Sequence, residues 1–427
     1  MQLKSDRKFG KEFLKDFFLE EGYTALNHGS FGVYPKVLQS SLIDFQMKTE
    51  LNPDRWLRRD MFLELDKNRE ALSGLLHCDS EELVFIPNAM TGINTVLRSL
   101  PFETGDKVIC FNTAYMSVGG TLRFIKDYQK LELVVIDLEY PMSDDEVLEK
   151  TKETIELHNH NGKVKACVFD AISSAPGVRF PYERMTHLLR ENNILSVLDG
   201  AHAIGQLPLD LHETDPDFFI TNCHKWLYTP RGAAVLYVPF RNQKLVHPAI
   251  INSWYGKKRD PSVKETSFRK EFEWPGTADF STFMCIIPGK VWKEESKILI
   301  VMSLAMEYRK SLGGEDAIMK YCNELAVKGG QLVADIWGTS VMENDEKTLT
   351  TAMVNVEVPL GKTTLSESVL YEAFIDKLLY EHHTMATVYK HNQKWYARIS
   401  AQIYNELDDF KVLADALLKV CRDLEAQ

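Results

Sequence analysis

Apolar runs and helical patterns alternate along residues 82–199, and this alternation constrains the fold more than any other feature of the sequence. Each run is short enough for one buried strand, and each intervening stretch has helical periodicity. Alternation over ~120 residues predicts a mostly parallel sheet covered by helices on both faces. The runs are ELVFIP (82–87), KVICFN (107–112), ELVVIDL (132–138), KVKACVFDA (163–171) and ILSVLD (194–199), with helices predicted at 88–100, 117–128, 143–157 and 182–192.

Regions outside this stretch have other patterns. A strand at 233–238 follows the alternating part, and residues 350–427 form a second α/β unit that indicates a small C-terminal domain. The remaining predictions are a packed helix over 8–20, a loop at 26–35, helices at 36–48 and 59–76 separated by a break at 52–56, an aromatic loop at 240–280, and long helices over 281–333.

Charge and cysteine usage indicate which partners are expected. The 427-residue chain carries a formal charge of −11, whereas nucleic acids and anionic membranes generally bind a basic face. The first residues lack the apolar core of a secretory signal, and no run reaches the ~20 apolar residues of a membrane span. Seven scattered cysteines without a Cys-x-x-Cys pair favour a reducing compartment. We therefore predict a cytoplasmic protein that acts on a small molecule, without nucleic-acid or membrane partners.

Asp199 and Lys225 occupy matching places, because each lies at or just after the end of an apolar run. In an open α/β sheet such positions face the crevice where ligands bind. A lysine can form a Schiff base with an aldehyde cofactor, and pyridoxal phosphate also needs an acid beside its pyridine nitrogen. The sequence has no G-x-S-x-G elbow, G-x-G-x-x-G loop or metal motif, and LGKTT at 360–364 lacks the first glycine of a Walker loop.

Weaker signals lie near other predicted strand ends and in the loop at 26–35. The helix that begins at Asn88, Ala89, Met90 and Thr91 exposes backbone N–H groups that suit a phosphate, although every α/β crossover makes such a turn. Tyr115 follows the strand at 107–112, where it can stack on a flat ligand, donate a proton or simply pack at the rim. Asn27 and His28 lie in that loop and can donate to a ligand, while a purely local turn is an equal alternative for Asn27.

The blocks DGAHAIGQLPLDL and DFFITNCHKWLYTPRGAAVLYV resemble the class V aminotransferase family of fold-type I pyridoxal-phosphate enzymes. Within that family the sequence is similar to the isopenicillin N epimerase-like branch, which includes hercynylcysteine sulfoxide lyases. The similarity extends from LNHGSFG (26–32) to WYARIS (395–400). It implies a large domain with a seven-stranded, mostly parallel sheet at 36–285, a small α/β domain at 286–427, and an N-terminal segment, 1–35, associated with the small domain.

The resemblance also implies roles for individual residues. Lys225 would be the Schiff-base lysine, Asp199 the pyridinium partner and His202 the contact to the phenolic oxygen of the cofactor. The phosphate would contact Asn222, His224 and the backbone of Ala89 and Met90, with Thr91 adjacent. Thr277 would reach the phosphate of a neighbouring subunit, which implies a homodimer with shared active sites. Tyr115 would stack on the ring of the cofactor and act as an acid–base group. Arg398, assisted by Asn27, would hold the α-carboxylate of an amino-acid substrate, and His28 would also contact the substrate.

The reaction is predicted to be β-elimination from a cysteine conjugate or its sulfoxide, giving pyruvate and ammonia. A cysteine desulfurase would need a mobile cysteine ahead of Arg398, and none lies between Cys322 and Cys421. Epimerisation, transamination and ring formation remain alternatives because the fold alone does not choose the reaction. A degenerate binding or scaffold protein is the alternative outside catalysis.

Overall fold

A seven-stranded sheet forms the centre of the molecule. The computed structural model describes residues 7–257, 267–286, 290–291, 300–301 and 305–426. The strand order is β2-β8-β7-β6-β5-β3-β4, and β8 alone runs antiparallel to its neighbours in this sheet. The predicted mostly parallel sheet is therefore confirmed. Its strands are β2 (Leu83–Ile86), β3 (Lys107–Phe111), β4 (Glu132–Ile136), β5 (Val164–Asp170), β6 (Leu195–Asp199), β7 (Phe218–Asn222) and β8 (Ala234–Tyr237).

Helices cover both faces of this sheet because successive apolar residues of a strand point to opposite sides. Val108 belongs to the core under α5 and α6, whereas its neighbour Ile109 belongs to the core on the opposite face. The helices predicted between the strands are all present. Those of this region are α2 (Gln39–Leu51), α3 (Pro53–Arg55), α4 (Met61–Leu76), α5 (Ala89–Ser99), α6 (Met116–Gln129), α7 (Asp144–His158), α8 (Tyr182–Glu191), α9 (Leu211–Thr214), α10 (Cys223–Trp226) and α11 (Ser267–Glu273).

The C-terminal part builds its own core on a three-stranded antiparallel sheet with the order β11-β14-β13. The sequence predicted two of these strands and missed the third, which lies in the middle of a polar stretch. The strands are β11 (Met353–Glu357), β12 (Thr384–Met385), β13 (Thr387–His391) and β14 (Lys394–Ser400). The helices are α12 (Ala305–Ser311), α13 (Glu315–Trp337), α14 (Glu367–Asp376) and α15 (Leu407–Glu425).

The N-terminal segment packs against both parts of the molecule. The strand β1 (Thr24–Ala25) pairs with β12, and Leu26 joins the C-terminal core. The helix predicted at 8–20 is only a 3-10 turn, Lys11–Asp16, and the loop predicted at 26–35 contains the short helix α1 (His28–Phe31). Gly32 ends α1 with a positive φ, and a Cβ there would collide with the carbonyl oxygen of His224. This close approach places α1 directly against α10.

Two further predictions need correction. The break predicted at 52–56 is confined to Asn52, since Pro53–Arg55 is already helical and a π-helical turn, Trp56–Asp60, leads into α4. The long helices predicted over 281–333 are wrong at their start, where only a 3-10 turn, Ser281–Cys285, is found. The dipeptide strands β9 (Lys290–Val291) and β10 (Ile300–Val301) pair antiparallel, and 287–289, 292–299 and 302–304 lie outside the described residues.

The remaining 3-10 and π-helical turns are short. They are Lys36–Leu38, Ser80–Glu82, His160–Gly162, Gln243–Leu245 and Lys377–Glu381. Among the helices that the structure describes, none has the length and apolarity required to cross a membrane.

Candidate active site

The predicted site residues gather at one edge of the large sheet. Asp199 is the last residue of β6, and Lys225 lies in α10, which begins directly after β7. Tyr115 follows β3 and is the N-cap of α6, and Ala89 begins α5 after β2. Because these four strands point the same way, their carboxyl ends share the edge at which α/β sheets bind ligands.

Lys225 is held in an environment that favours its neutral form. Its Nζ lies 3.1 Å from Nε2 of His202. Burial, followed by the positive charge of Arg398, lowers the pKa of Lys225 to about 7, although Asp199 and Asp170 oppose the shift. A neutral amine is the form that can attack an aldehyde or accept a proton. The geometry therefore supplies a nucleophile and base near neutral pH.

We expect Lys225 in cofactor-free protein to titrate near pH 7, because removing its charge from water disfavours the protonated amine. Competitive acetylation over a range of pH values, read by mass spectrometry, measures the neutral fraction of each lysine. The exposed Lys165 on β5 serves as an internal reference. A midpoint for Lys225 near its ordinary value of 10.5 would contradict the expectation.

Two buried carboxyl groups lie side by side beneath this lysine. Asp199 and Asp170 are register partners on β6 and β5. Burial raises the pKa of Asp199, while a hydrogen bond from the Ala201 N–H to Oδ1 at 2.9 Å and the charge of Lys225 oppose the shift. Burial and the charge of Asp199 raise the pKa of Asp170 well above its ordinary value. Sequence reasoning missed Asp170, although it also ends an apolar strand, as Asp199 does.

The start of α5 offers fewer free donors than the sequence predicted. The Ala89 N–H donates to Oδ1 of Asn222 at 2.9 Å, and the Thr91 N–H donates to Oδ1 of Asn88 at 2.9 Å. A first-turn N–H has no partner within its own helix, so Met90 keeps the N–H best placed for an anion. Because Asn222 already binds the Ala89 N–H, this structure does not favour a phosphate contact there, and that contact stays a prediction.

His224 and Thr277, two further predicted phosphate contacts, have different surroundings. Nδ1 of His224 is 2.9 Å from the carbonyl oxygen of Ala233, which fixes the ring beside β8. Burial is the main cause that lowers the pKa of His224. Thr277 is exposed in the segment after α11. Its predicted contact to a neighbouring subunit stays a prediction.

Arg398 on β14 is a buried cation surrounded by neutral groups. Nη1 donates to the carbonyl oxygen of Ser174 at 2.8 Å, and Nη2 donates to Oδ1 of Asn27 at 3.1 Å, Oγ of Ser30 at 2.8 Å and Oγ1 of Thr387 at 3.1 Å. Its Nε is buried without a partner, and burial lowers the pKa of Arg398 to about 10. The group forms no ion pair with a described carboxylate, so an arriving carboxylate would supply the missing countercharge.

Asn27 contacts Arg398, whereas both ring nitrogens of His28 contact other protein groups. The Nε2–H of His28 donates to the backbone oxygen of Lys225 at 2.8 Å, and its Nδ1 accepts from the hydroxyl of Tyr404 at 3.0 Å. Both ring nitrogens are therefore occupied by protein, and burial lowers the pKa of His28 to about 4. These contacts do not favour a role of His28 in substrate binding, which stays a prediction, and they show that His28 anchors the backbone that carries Lys225.

These donors fit pyridoxal phosphate. A neutral lysine suits its aldehyde, the acid pair at Asp199 suits its pyridine nitrogen, and the helix start at Met90 suits its phosphate. The buried Nε of Arg398, which lacks a partner, suits the carboxylate of an amino acid held beside the ring. Such a site on a seven-stranded sheet with a small C-terminal domain defines a fold-type I pyridoxal-phosphate enzyme.

Comparisons with known proteins identify the family. Residues 55–273 match the model "Aminotransferase class-V". The chain is 30% identical to the hercynylcysteine sulfoxide lyase of Schizosaccharomyces pombe, over 97% of this chain and 98% of that protein. It is 25% identical to the isopenicillin N epimerase of Streptomyces clavuligerus, over 92% and 93% of the two chains. The chain therefore belongs to the class V aminotransferase family, and its cofactor is pyridoxal phosphate.

A solved structure supports the fold independently. The apo cysteine desulfurase of Thermococcus onnurineus NA1 superposes with a TM-score of 0.73 at 16% identity, covering 98% of this chain and all of that one. At this identity the similarity establishes the fold alone.

Proposed function

We propose that the protein is a pyridoxal-phosphate C–S lyase that cleaves a cysteine conjugate or its sulfoxide by β-elimination. The products would be a thiol or sulfenic acid, pyruvate and ammonia. The observation that carries the proposal is the buried guanidinium of Arg398, which lacks a carboxylate partner among the described residues and belongs to the same site as a neutral lysine. The similarity to a hercynylcysteine sulfoxide lyase along nearly the whole chain supports the choice of reaction.

Arg398 binds the α-carboxylate of the substrate in this proposal, and Asn27, Ser30 and Thr387 orient its guanidinium through their oxygens. The charged Nε–H, which has no protein partner, would donate to this carboxylate and hold the substrate in position. The amino group of the substrate is thereby directed to the cofactor aldehyde near Lys225. The carboxylate clamp thus selects α-amino acids.

Proton transfer is assigned to Lys225 and Tyr115. When bound, pyridoxal phosphate withdraws electrons from the α-carbon of the substrate. Asp199 keeps the pyridine nitrogen protonated, and Lys225 Nζ, neutral near pH 7, takes the α-proton. The Cβ–S bond breaks with its electron pair on sulfur, and Tyr115 donates a proton to the departing group, at the sulfur of a thiolate or at the oxygen of a sulfenate. Tyr115 is 44% exposed, so it can reach a ligand at the rim. Water then releases pyruvate and ammonia.

The cysteines favour this reaction over sulfur transfer to the protein. Cys322 in α13 and Cys421 in α15 are the only cysteines after residue 286. Both are buried, and burial raises the pKa of each thiol to about 12. A persulfide-forming desulfurase needs an accessible thiolate, which neither residue offers.

Incubation of the purified protein with an S-substituted cysteine and with its sulfoxide tests the reaction. We expect pyruvate to accumulate, measured by NADH oxidation with lactate dehydrogenase, together with one equivalent of ammonia. Chiral chromatography and keto-acid analysis of the same samples detect epimerisation and transamination. Recovery of racemised substrate or of its intact keto acid, without pyruvate, would replace the lyase assignment by one of these alternatives.

Replacing Tyr115 by phenylalanine is expected to lower kcat about 10²-fold, since a positioned general acid contributes about 10²–10⁴ to a rate. The visible absorption of the bound cofactor should persist. Tyr128→Phe is the matched control, because Tyr128 lies on the same helix α6 and is exposed. Equal kcat values in Tyr115→Phe and wild type would remove Tyr115 from the proposed proton transfer.

We also propose a cytoplasmic homodimer in which Thr277 of each subunit completes the neighbouring site. Exposed apolar side chains cluster along the sequence near this segment, at Ile250, Ile251, Trp254 and Tyr255, and such side chains are typical of an interface core. All seven cysteines are free, as expected in a reducing compartment.

A further inference from the structure

Trp226 follows Lys225 in α10 and contacts the catalytic region through His202. The indole Nε1 lies 3.3 Å from Nδ1 of His202, while Nζ of Lys225 lies 3.1 Å from Nε2 of the same ring. The side chains of Trp226 and His202 are both buried. The imidazole is thus held between an indole on one edge and the lysine amine on the other.

The chemistry of these groups fixes where the imidazole carries its proton. An indole N–H can only donate, so Nδ1 of His202 must be an unprotonated acceptor. Burial, followed by the charges of Lys225 and Arg398, lowers the pKa of His202 well below its ordinary value, so the ring is neutral. A neutral imidazole has one N–H, and it is therefore on Nε2, directed at Lys225.

We propose that Trp226 is a positioning residue that locks His202 in its Nε2–H form, so that the ring presents a donor to Lys225 and to the phenolic oxygen of the bound cofactor. The opposite tautomer would place a bare nitrogen lone pair against that oxygen. The proposal rests on the cofactor site described above and extends it to a residue that acts through His202.

The surroundings of Trp226 keep the indole in place. Its backbone oxygen accepts from Nη1 of the buried Arg309 at 2.6 Å, and its ring lies 5.1 Å from the ring of His28, measured between centroids. Rotation of the indole away from His202 would break its ring contact with His28, and the bond from Arg309 holds the backbone from which the side chain projects. The direction of its N–H is therefore set by the fold rather than by the ligand.

The proposal predicts a specific change at Lys225 when the indole N–H is removed. In Trp226→Phe, Nδ1 of His202 loses its donor, and the proton can move to Nδ1. The bare Nε2 then accepts a hydrogen bond from the protonated lysine, which stabilises the charged amine. The other charged groups that face the lysine, Asp170, Asp199 and Arg398, are unchanged. We expect the titration midpoint of Lys225 to rise by about one pH unit in cofactor-free protein.

Competitive acetylation of Lys225 against pH measures this midpoint without reference to turnover. Trp337→Phe is the matched control, because Trp337 is also buried and donates its indole N–H, to the carbonyl oxygen of Ala414 at 3.0 Å. His202→Gln provides the second arm, since an amide donates without a tautomer. The Trp226→Phe change should shift the midpoint in wild type and leave it unchanged in the His202→Gln background.

Three results would overturn the proposal. These are an unchanged midpoint in Trp226→Phe, an equal shift in Trp337→Phe, and an equal shift in the His202→Gln background. If Trp226→Phe does not fold, the ring ¹⁵N chemical shifts of His202 in wild-type protein decide the question, and a proton on Nδ1 would refute it. Because these measurements use cofactor-free protein, their failure is distinguishable from a failure of the proposed lyase reaction.

Discussion

Replacement of Lys225 by alanine is expected to abolish the visible absorption of bound pyridoxal phosphate and to lower pyruvate formation about 10⁴-fold, the upper end of what one proton-transfer group contributes. The variant loses both the amine that binds the aldehyde and the base that takes the α-proton. Both roles require the neutral amine, and a pKa lowered to about 7 makes that form available at physiological pH. Absorption spectra and a lactate dehydrogenase-coupled assay on the same sample measure the two losses.

Two further variants separate the functions of this lysine. Lys225→Arg keeps a positive charge but cannot be deprotonated in a protein, so it should be as inactive as the alanine variant. Lys165→Ala removes an exposed lysine and should behave as wild type. A full cofactor spectrum in Lys225→Ala would show that another amine binds the cofactor and would refute the assignment.

Replacement of Arg398 by alanine is expected to reduce kcat/KM about 10²- to 10⁴-fold, since breaking a buried charge pair loses roughly 3–5 kcal/mol. In the proposed complex the substrate carboxylate occupies the place of a countercharge that the described protein residues do not supply. The cofactor should remain bound, because Arg398 lies on β14 of the C-terminal part and not on the sheet that carries Lys225. Steady-state kinetics with an S-substituted cysteine measure the change.

An analogue without the carboxylate provides the control for this prediction. Wild type should prefer the cysteine conjugate over the corresponding cysteamine conjugate, and Arg398→Ala should lose most of that preference. Arg398→Lys should recover only part of it, because an ammonium does not form the bidentate contact of a guanidinium. An unchanged preference in Arg398→Ala would place the carboxylate elsewhere.

The large sheet could be predicted from the sequence because most of its strands are buried on both faces and therefore read as continuous apolar runs, although the edge strand β4 is partly exposed. The same reasoning found Asp199, because its charged side chain ends such a run. The third strand of the small sheet, β13, escaped prediction because its residues, TVYKH, show no apolar–polar alternation and no turn signal precedes them. Its identity depends on pairing with β14, which lies beyond it in the chain.

Parts of the site depend on contacts that no local pattern encodes. Ser174, Ser30 and Thr387 gain their role only because the fold brings three separate segments to one guanidinium. The hydrogen bonds of His28 escaped prediction for a related reason, since a histidine in a loop gives no sign that its ring will bind a backbone oxygen 197 residues away. Tertiary contacts of this kind must be seen in a structure.

The contact between Asn27 and Arg398 joins residues 371 positions apart in the chain. The residues between them must therefore leave the ribosome before the carboxylate clamp can form, although every strand of the large sheet precedes Arg398 in the chain. In a nascent chain, Lys225 is present before Arg398, the residue that would bind the carboxylate of the substrate. Binding of the cofactor during synthesis would consequently precede turnover, because Arg398 is translated after every strand of the large sheet.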